Sequence, residues 1–167
     1  MSYNSWKWKR KEKQPVNLVK LRWFMKHPLG AKEDGIIDKL DSLFSRYKRL
    51  SALMGSGYIR CVTCGGFFTF RQTDCGHYVG RACMSLRFED KNTGCQCHHC
   101  NRYSEGVKDQ FALYLQRMWG PDILEWLNTR KQEKKFYTHA ELEELVLVLK
   151  AKVKELEIKK LGRIGNK

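Results

Sequence analysis

Apolar residues recur at every third or fourth position over two long stretches of the chain, which predicts two amphipathic helices. The first is predicted over residues 36–53, where Gly55 and Gly57 follow and can end it. Its apolar positions are Ile36, Ile37, Leu40, Leu43, Phe44, Tyr47 and Leu50. We interpret it as a packing helix with a basic outer face. Two shorter helices are predicted over residues 109–119 and 122–131.

The second long helix begins at a capping box, Thr138-His139-Ala140-Glu141, and runs toward the C-terminus. Its apolar residues are separated alternately by four and three positions: Leu142, Val146, Leu149, Val153 and Leu156. Such heptad spacing is typical of a helix that packs along one seam. We expect the seam to pack on the protein's own body, and the alternative is that it forms the interface of a homodimer.

Between these helices the pattern is that of short strands and turns. Residues 58–71 predict a β-hairpin whose turn contains Gly65-Gly66, and residues 75–81 predict a further strand or a loop. A helix is predicted to begin near Cys97. The expected fold class is therefore α+β and mostly helical, with a small core between N- and C-terminal helices.

These elements divide the chain into four regions: a basic flexible arm (1–14), an N-terminal helical region (15–57), a core (58–107) and a C-terminal helical region with the long last helix (108–167). No run of about 18 apolar residues is present, so no membrane partner is expected. The basic N-terminus has no apolar stretch behind it, unlike a secretory signal. We therefore expect the protein to act in the cytoplasm.

Positive charge is concentrated at the N-terminus of a chain whose net charge is +14. The first 32 residues contain nine Lys or Arg residues and one acidic residue, Glu12. A solvated basic arm would have this composition too, but the excess favours a polyanionic partner, and we expect nucleic acid. Trp6 and Trp8 alternate with cations and could stack on bases. The arm residues expected to contact DNA are Lys7, Lys9 and Arg10.

Two Cys-x-x-Cys pairs carry the clearest chemical signal in the sequence. A chain without an export signal more often uses paired cysteines for metal binding than for disulfides. Four thiolates can close one tetrahedral structural zinc site and so staple a core too small to be stable alone. The expected zinc ligands are Cys61, Cys64, Cys97 and Cys100.

The other cysteines are Cys75, Cys83 and Cys95, and we expect them to be small buried residues. Cys95 is close enough to Cys97 to be a competing zinc ligand. His98 and His99 lie between the second pair of zinc cysteines and could substitute as ligands or contact phosphate.

A histidine and two asparagines lie between and just after the cysteine pairs. His77 precedes Asn92 by 15 positions, and Asn92 precedes Asn101 by nine. This arrangement resembles the HNH, or ββα-metal, nucleases, in the variant whose last motif residue is Asn. The resemblance implies that His77 activates water, that Asn92 holds the loop that orients His77, and that Asn101 binds a catalytic metal ion.

The chemistry of phosphodiester hydrolysis agrees with these roles, because it requires a base near neutral pH and a cation beside the phosphate. Imidazole supplies such a base. Mg²⁺ prefers hard oxygen ligands, so we expect Mg²⁺ as the catalytic cofactor, with Mn²⁺ as a possible substitute. Asp74 is the carboxylate nearest to His77 and is assigned as the second metal ligand.

The position before the histidine differs from many HNH nucleases, in which it is acidic, because here it is Gly76. A backbone bend at Gly76 would bring Asp74 to the metal ion. Without that bend, the ligand could instead be Glu89, Asp90 or Glu105.

A closer resemblance is to the NinG (Rap) recombination endonucleases of lambdoid phages. The residues that carry it are Asp74-Cys75-Gly76-His77-Tyr78, Leu86-Arg87-Phe88, Asn92, Gln96-Cys97, Cys100-Asn101, Ser104, Gly106 and Tyr137-Thr138. It runs roughly from Arg60 to Lys154, and the first 55 residues do not clearly share it. The resemblance implies a structure-specific endonuclease that cuts four-way junctions and D-loops in phage recombination, inside the host cell.

Four cations near the proposed site are expected to contact DNA phosphates: Arg81, Arg87, Lys91 and Arg102. The main alternative function is a zinc module that binds nucleic acid without cutting it, and the next is a nonspecific HNH nicking nuclease. A thiol-disulfide oxidoreductase would also contain Cys-x-x-Cys, but the chain lacks a thioredoxin-like βαβ pattern.

Overall fold

The computed structural model describes residues 31–103 and 107–164, with side chains from 35 to 103 and from 107 to 160. The basic arm, with Lys7, Lys9 and Arg10, lies outside the described residues. So do residues 15–30 of the expected N-terminal helical region, and Glu105.

Five helices and four short strands make up the described chain. In chain order they are α1 (Ala31–Ala52), β1 (Tyr58–Arg60), β2 (Phe67–Thr69), β3 (Thr73–His77), β4 (Thr93–Cys97), α2 (His98–Arg102), α3 (Lys108–Trp119), α4 (Ile123–Gln132) and α5 (His139–Ile164). Single 3₁₀ turns, Phe70–Gln72 and Asp90–Asn92, precede β3 and β4. The predicted α+β, mostly helical fold class is confirmed.

Helices α1 and α5 pack along their length and run in the same direction. Their N-terminal halves meet in one cluster, in which Leu40 and Phe44 of α1 contact the seam of α5. Their C-terminal halves meet in a second, where Leu50 and Val153 are buried together. The heptad seam of α5 therefore packs on the protein's own body, as expected, and is not available as a dimer interface.

The capping box at the start of α5 is formed as predicted. The Thr138 backbone N–H donates to a Glu141 carboxylate oxygen at 2.6 Å, and the Glu141 N–H donates back to the Thr138 hydroxyl at 3.3 Å. Two orphan backbone donors are thereby satisfied at the first turn. Within the described part of the chain, no helix is long and apolar enough to cross a membrane.

The first hairpin joins β1 to β2 antiparallel, with Ile59 opposite Phe68. The six residues from 61 to 66 connect the strands and contain the first cysteine pair. The connection closes through a hydrogen bond from the Cys61 N–H to the Gly66 carbonyl at 2.8 Å. Gly65 adopts a φ of +73°, a region that glycine enters without a steric penalty. The predicted hairpin and its glycine turn are both confirmed.

The second hairpin pairs β3 with β4 antiparallel, from Thr73 opposite Cys97 to His77 opposite Thr93. Helix α2 follows β4 directly, so the core has the order β, β, α. The pairing runs unbroken through Gly76, and a Cβ atom there would lie 2.0 Å from the Gln96 Oε1 atom. Gly76 therefore makes room for a buried side chain across the sheet rather than producing the backbone bend that we considered.

Helices α3 and α4 close the core on the side of the long loop between β3 and β4. Their buried residues pack on Leu86 of that loop and are Phe111, Leu115, Ile123 and Leu127. Burial of side chains of this size contributes roughly 1.5–3 kcal/mol each, so α3 and α4 hold the loop against the sheet.

Candidate functional site

The four expected zinc cysteines come together between the first hairpin and the start of α2. One sulfur atom from each of Cys61, Cys64, Cys97 and Cys100 lies within 4.8 Å of the other three. Backbone N–H groups point at this cluster: that of Cys97 donates to the Cys61 Sγ at 3.3 Å, and that of Cys100 to the Cys97 Sγ at 3.5 Å. The cluster could hold a structural metal ion such as zinc.

The pKa values of two of these thiols shift in opposite directions. Burial alone would raise the pKa of Cys61, but hydrogen bonds from Thr63 and from backbone N–H groups lower it to about 6. Burial, opposed in part by Thr63, raises the pKa of Cys100 to about 12, and the neighbouring sulfur atoms add to the rise. Adjacent thiolates repel one another, and a bound cation removes that repulsion.

The other three cysteines lie outside this cluster. Cys95 is buried, and its thiol donates to the Lys48 carbonyl of α1 at 3.4 Å, so it faces away from the metal cluster. Cys75 packs near the α1–α5 core, and burial raises its pKa to about 12. Cys83 contacts the Ser85 hydroxyl at 3.2 Å. His98 and His99 line the surface beside the cluster without being needed to complete it.

A separate cleft of about 480 Å³ opens between α1, β3 and α2. Five of the residues that we predicted from the sequence to be catalytic or to contact DNA line this cleft: Asp74, His77, Arg81, Asn101 and Arg102. Asp41 and Ser45 of α1 complete one wall. Residues distant in sequence therefore converge on one polar cleft.

His77 ends β3 with its ring held against the following loop. Its Nε2 atom lies 2.9 Å from the Arg87 carbonyl oxygen. A carbonyl oxygen can only accept, so in the neutral ring Nε2 carries the proton and Nδ1 keeps the lone pair. Burial lowers the pKa of His77 below its usual value, although the carbonyl groups of Arg87 and Cys75 oppose the change. His77 is therefore neutral at pH 7, as a base must be.

Asn92 is fully buried and holds the loop between β3 and β4. Its Oδ1 accepts from the Val79 N–H at 2.8 Å, and its Nδ2 donates to the carbonyls of Val79 and Leu86 at 2.9 Å each. Leu86 immediately precedes Arg87, whose carbonyl oxygen contacts the His77 ring. Asn92 does not line the cleft, but it fixes the loop that orients the histidine.

Asp74 is contacted by three side chains of α2. Asn101 Nδ2 donates to its Oδ2 at 3.1 Å, and His98 Nε2 lies 3.4 Å from its Oδ1. Arg102 donates to both oxygens, from Nε at 2.9 Å and from a terminal nitrogen at 3.0 Å. Burial alone would raise the pKa of Asp74, but Arg102, Asn101 and the charge of His98 hold it below its usual value. Asp74 is therefore an ionised oxygen donor at neutral pH.

Asp41 of α1 is a site residue that the sequence reasoning missed. Its two carboxylate oxygens accept from Arg87 Nε at 2.9 Å and from an Arg87 terminal nitrogen at 2.7 Å. Arg81 adds a further bond at 3.1 Å. The sequence predicts α1 as a packing helix with a basic outer face, yet α1 also supplies a wall of the cleft and anchors Arg87, whose carbonyl holds His77.

Several other expected site residues lie elsewhere. Asp90 pairs with Lys48 at 2.9 Å, and Glu89 caps the 3₁₀ turn before β4, so neither lines the cleft. Lys91 lies over the Trp126 ring, with its ammonium 4.9 Å from the centroid. Arg87 is buried and bonded to Asp41, and we therefore leave it out of the proposed phosphate contacts.

Comparison with known proteins identifies one family. The chain matches the family described as bacteriophage lambda NinG protein over residues 5–159. No curated protein and no solved structure matches it. The family match extends through most of the first 55 residues, so our expectation that they do not clearly share the resemblance was wrong. Because the match covers nearly all of the sequence, the chain belongs to the bacteriophage lambda NinG family.

Proposed function

We propose that this protein is a metal-dependent, structure-specific DNA endonuclease of phage recombination, with an HNH-type site whose last motif residue is asparagine. One observation carries the proposal. A neutral histidine whose Nε2 is held by the Arg87 carbonyl, an ionised aspartate and an asparagine line one cleft, and the two strands and the helix of a ββα unit supply or frame them.

His77 acts as the general base in this proposal. Its Nε2–H is committed to the Arg87 carbonyl, so Nδ1 takes the proton from the attacking water. Asn92 and the Asp41–Arg87 pair keep the ring in that orientation by holding the loop from two sides. A ring free to rotate would lose the alignment on which proton transfer depends.

Asp74 and Asn101 would hold the Mg²⁺ ion. A carboxylate and an amide oxygen are hard donors, and Mg²⁺ tolerates so few protein ligands because it retains several waters. When bound, the ion supplies positive charge against the charge that develops on the phosphate and the leaving oxygen. Mn²⁺ accepts the same donors and should substitute for Mg²⁺.

Arg81 and Arg102 are placed to receive the DNA backbone. Both side chains line the cleft and are more than half exposed, at 60% and 53%. Guanidinium groups bind phosphate oxygens through paired hydrogen bonds that carry no base sequence information. Recognition of a branch through its shape requires contacts of this kind. The preference for four-way junctions and D-loops is proposed from the NinG (Rap) resemblance.

The test is cleavage of a labelled four-way junction beside an equal-length duplex of matching sequence, with Mg²⁺ or with EDTA. The proposal predicts Mg²⁺-dependent cutting of the junction and at least about tenfold slower cutting of the duplex. Equal cutting of both substrates would reduce the function to a nonspecific HNH nuclease. Tight binding without cutting, with Mg²⁺ or Mn²⁺, would contradict the nuclease and favour the zinc module that only binds nucleic acid.

A further inference from the structure

We infer that Arg102 exchanges between Asp74 and a DNA phosphate, so that the divalent metal ion and DNA strengthen each other's binding to this cleft. The inference rests on the proposed function, because it takes the cleft to bind a metal ion and a phosphodiester. It adds a regulatory property: the site is loaded with metal preferentially when DNA is present.

The observation behind it is the two-point contact of Arg102 with Asp74. Nitrogen–oxygen distances of 2.9 and 3.0 Å reach both carboxylate oxygens. Asn101 occupies one of the same oxygens, at 3.1 Å. The proposed metal ligand is therefore already neutralised by a cation of the protein itself.

A divalent ion and this guanidinium compete for the same carboxylate oxygens. An oxygen that accepts a hydrogen bond along its lone pair presents less charge to a metal ion, and a cation beside the ion repels it. Metal binding through Asp74 therefore requires Arg102 to move away. If Arg102 has no other anion to bind, the loss of its ion pair with Asp74 weakens metal binding.

A phosphate group removes this cost. Its oxygens match the fork of donors on arginine as well as a carboxylate does. The Arg102 side chain is 53% exposed and lines the cleft that would receive the scissile strand, so it can turn from Asp74 toward DNA without unfolding of its surroundings. DNA that binds Arg102 leaves Asp74 free for metal, and metal at Asp74 leaves Arg102 free for DNA.

Thermodynamic linkage makes this effect reciprocal: the factor by which DNA tightens metal binding equals the factor by which metal tightens DNA binding. An ion pair with an exposed arginine is weak, so breaking it should change an affinity by at most about fivefold. We therefore expect DNA to tighten metal binding by about fivefold through Arg102.

The experiment measures Mn²⁺ affinity by electron paramagnetic resonance, in a His77→Ala background that prevents cleavage. Titrations are made with and without a four-way junction, and Mn²⁺ bound by the junction alone is subtracted. Three proteins are compared: the background chain, the same chain with Arg102→Gln, and a matched control with Arg81→Gln. The control removes an equal charge from the same cleft, but from a side chain that pairs with Asp41 rather than Asp74.

We expect the junction to tighten Mn²⁺ binding about fivefold in the background chain. Arg102→Gln should tighten it to a similar extent without DNA and abolish most of the further gain on adding DNA. Arg81→Gln should change Mn²⁺ affinity by less than about twofold and retain the coupling. Zinc content and circular dichroism confirm that all three proteins are folded.

The inference is overturned if Arg102→Gln leaves both Mn²⁺ affinity and coupling unchanged, or if Arg81→Gln reproduces its effects. Neither readout depends on cleavage. A chain that cuts junctions but shows no coupling therefore overturns the role of Arg102 alone. A chain that shows the coupling but never cuts overturns the proposed nuclease while leaving the exchange intact.

Discussion

The surroundings of His77 give it the properties that the proposed general base requires. The Arg87 carbonyl fixes which ring nitrogen carries the proton, and burial lowers the pKa so that the ring stays neutral near pH 7. Asp74 meets the opposite requirement, since Arg102 and Asn101 keep its pKa low and the carboxylate ionised. Near pH 7, His77 is therefore neutral and can accept a proton, while Asp74 is ionised and can bind a cation.

The pH dependence of cleavage follows from the lowered pKa of His77. The base works in its neutral form, so kcat/KM should fall about tenfold per unit below that pKa and level off above it. Since burial places the pKa below its usual value of about 6.5, the plateau should include pH 7. The measurement is kcat/KM from pH 5 to 8 at saturating Mg²⁺. A rate that still rises tenfold per unit above pH 7 would contradict this assignment.

Asp41→Asn should weaken both stability and catalysis. The substitution leaves the buried Arg87 guanidinium without a carboxylate, a loss that costs about 3 kcal/mol in buried ion pairs. It also loosens the loop whose carbonyl holds His77. Chemical denaturation and single-turnover cleavage measure the two effects. Asp38→Asn is the matched control: it lies one turn earlier on α1 and is exposed, so it should change neither. Equal behaviour of the two variants would show that Asp41 is not needed to position the loop.

The secondary-structure elements form a core that contains the cysteine cluster, and helices that support that core. The cysteine cluster joins the first hairpin to the start of α2, while Asp74 and His77 of β3 line the same cleft as Asn101 of α2. Helix α1 is held by α5 and supplies the opposite wall of the cleft. The site thus depends on contacts between elements that are far apart in sequence.

Cys97→Ser should unfold the core, because loss of one of four thiolates weakens zinc binding, and zinc binding is coupled to folding. We expect the unfolding free energy to fall by more than about 3 kcal/mol, and the zinc content to fall well below one ion per chain. Cys83→Ser is the control, since Cys83 lies outside the cluster. A melting curve and zinc content like those of the wild type would refute the staple.

Sequence patterns predicted the parts of this fold and site that depend on local spacing. The Cys-x-x-Cys pairs identified the metal cluster, the heptad spacing identified the face by which α5 packs, and Gly65 marked the hairpin turn. The spacing within each cysteine pair, along the helix and within the turn is local, and local spacing indicates which residues share a face or a turn.

Other features could not be read from the sequence, because they depend on long-range contacts. The partner of Asp41 is Arg87, 46 positions away, and nothing in an amphipathic helix indicates which polar residue will face a cleft. The role of Gly76 depends on Gln96 across the sheet. The pairing of Asp74 with Arg102 depends on how α2 docks on β3.

At the scale of the whole molecule, a net charge of +14 favours binding to DNA regardless of its sequence. Half of that charge, +7, lies in residues 1–30, outside the described residues. The arm carries +4 of it and belongs to the family match from residue 5 onward. The arm and the cleft would then act at different stages, the arm through nonspecific attraction and the cleft through the chemistry of one phosphate.

Deletion of residues 2–13 should weaken DNA binding and reduce its dependence on salt. Each Lys or Arg that displaces a counterion contributes about 0.9 to the slope of log K against log salt concentration. We expect the slope to fall by about 2 to 4, measured by fluorescence anisotropy from 50 to 200 mM salt. A variant with Trp6 and Trp8 replaced by Ala keeps the charges and should keep the slope. An unchanged slope after the deletion would show that the arm does not contact DNA.

The central claim is that the cleft around His77 is a nuclease centre, and its most direct test is the single-turnover cleavage rate of His77→Ala on a four-way junction with Mg²⁺. His139→Ala, at the exposed start of α5, is the matched control. We expect His77→Ala to cut at least about 100-fold more slowly than the wild type, with unchanged DNA binding and zinc content, and His139→Ala to cut normally. A His77→Ala protein that cuts at the wild-type rate would contradict the account.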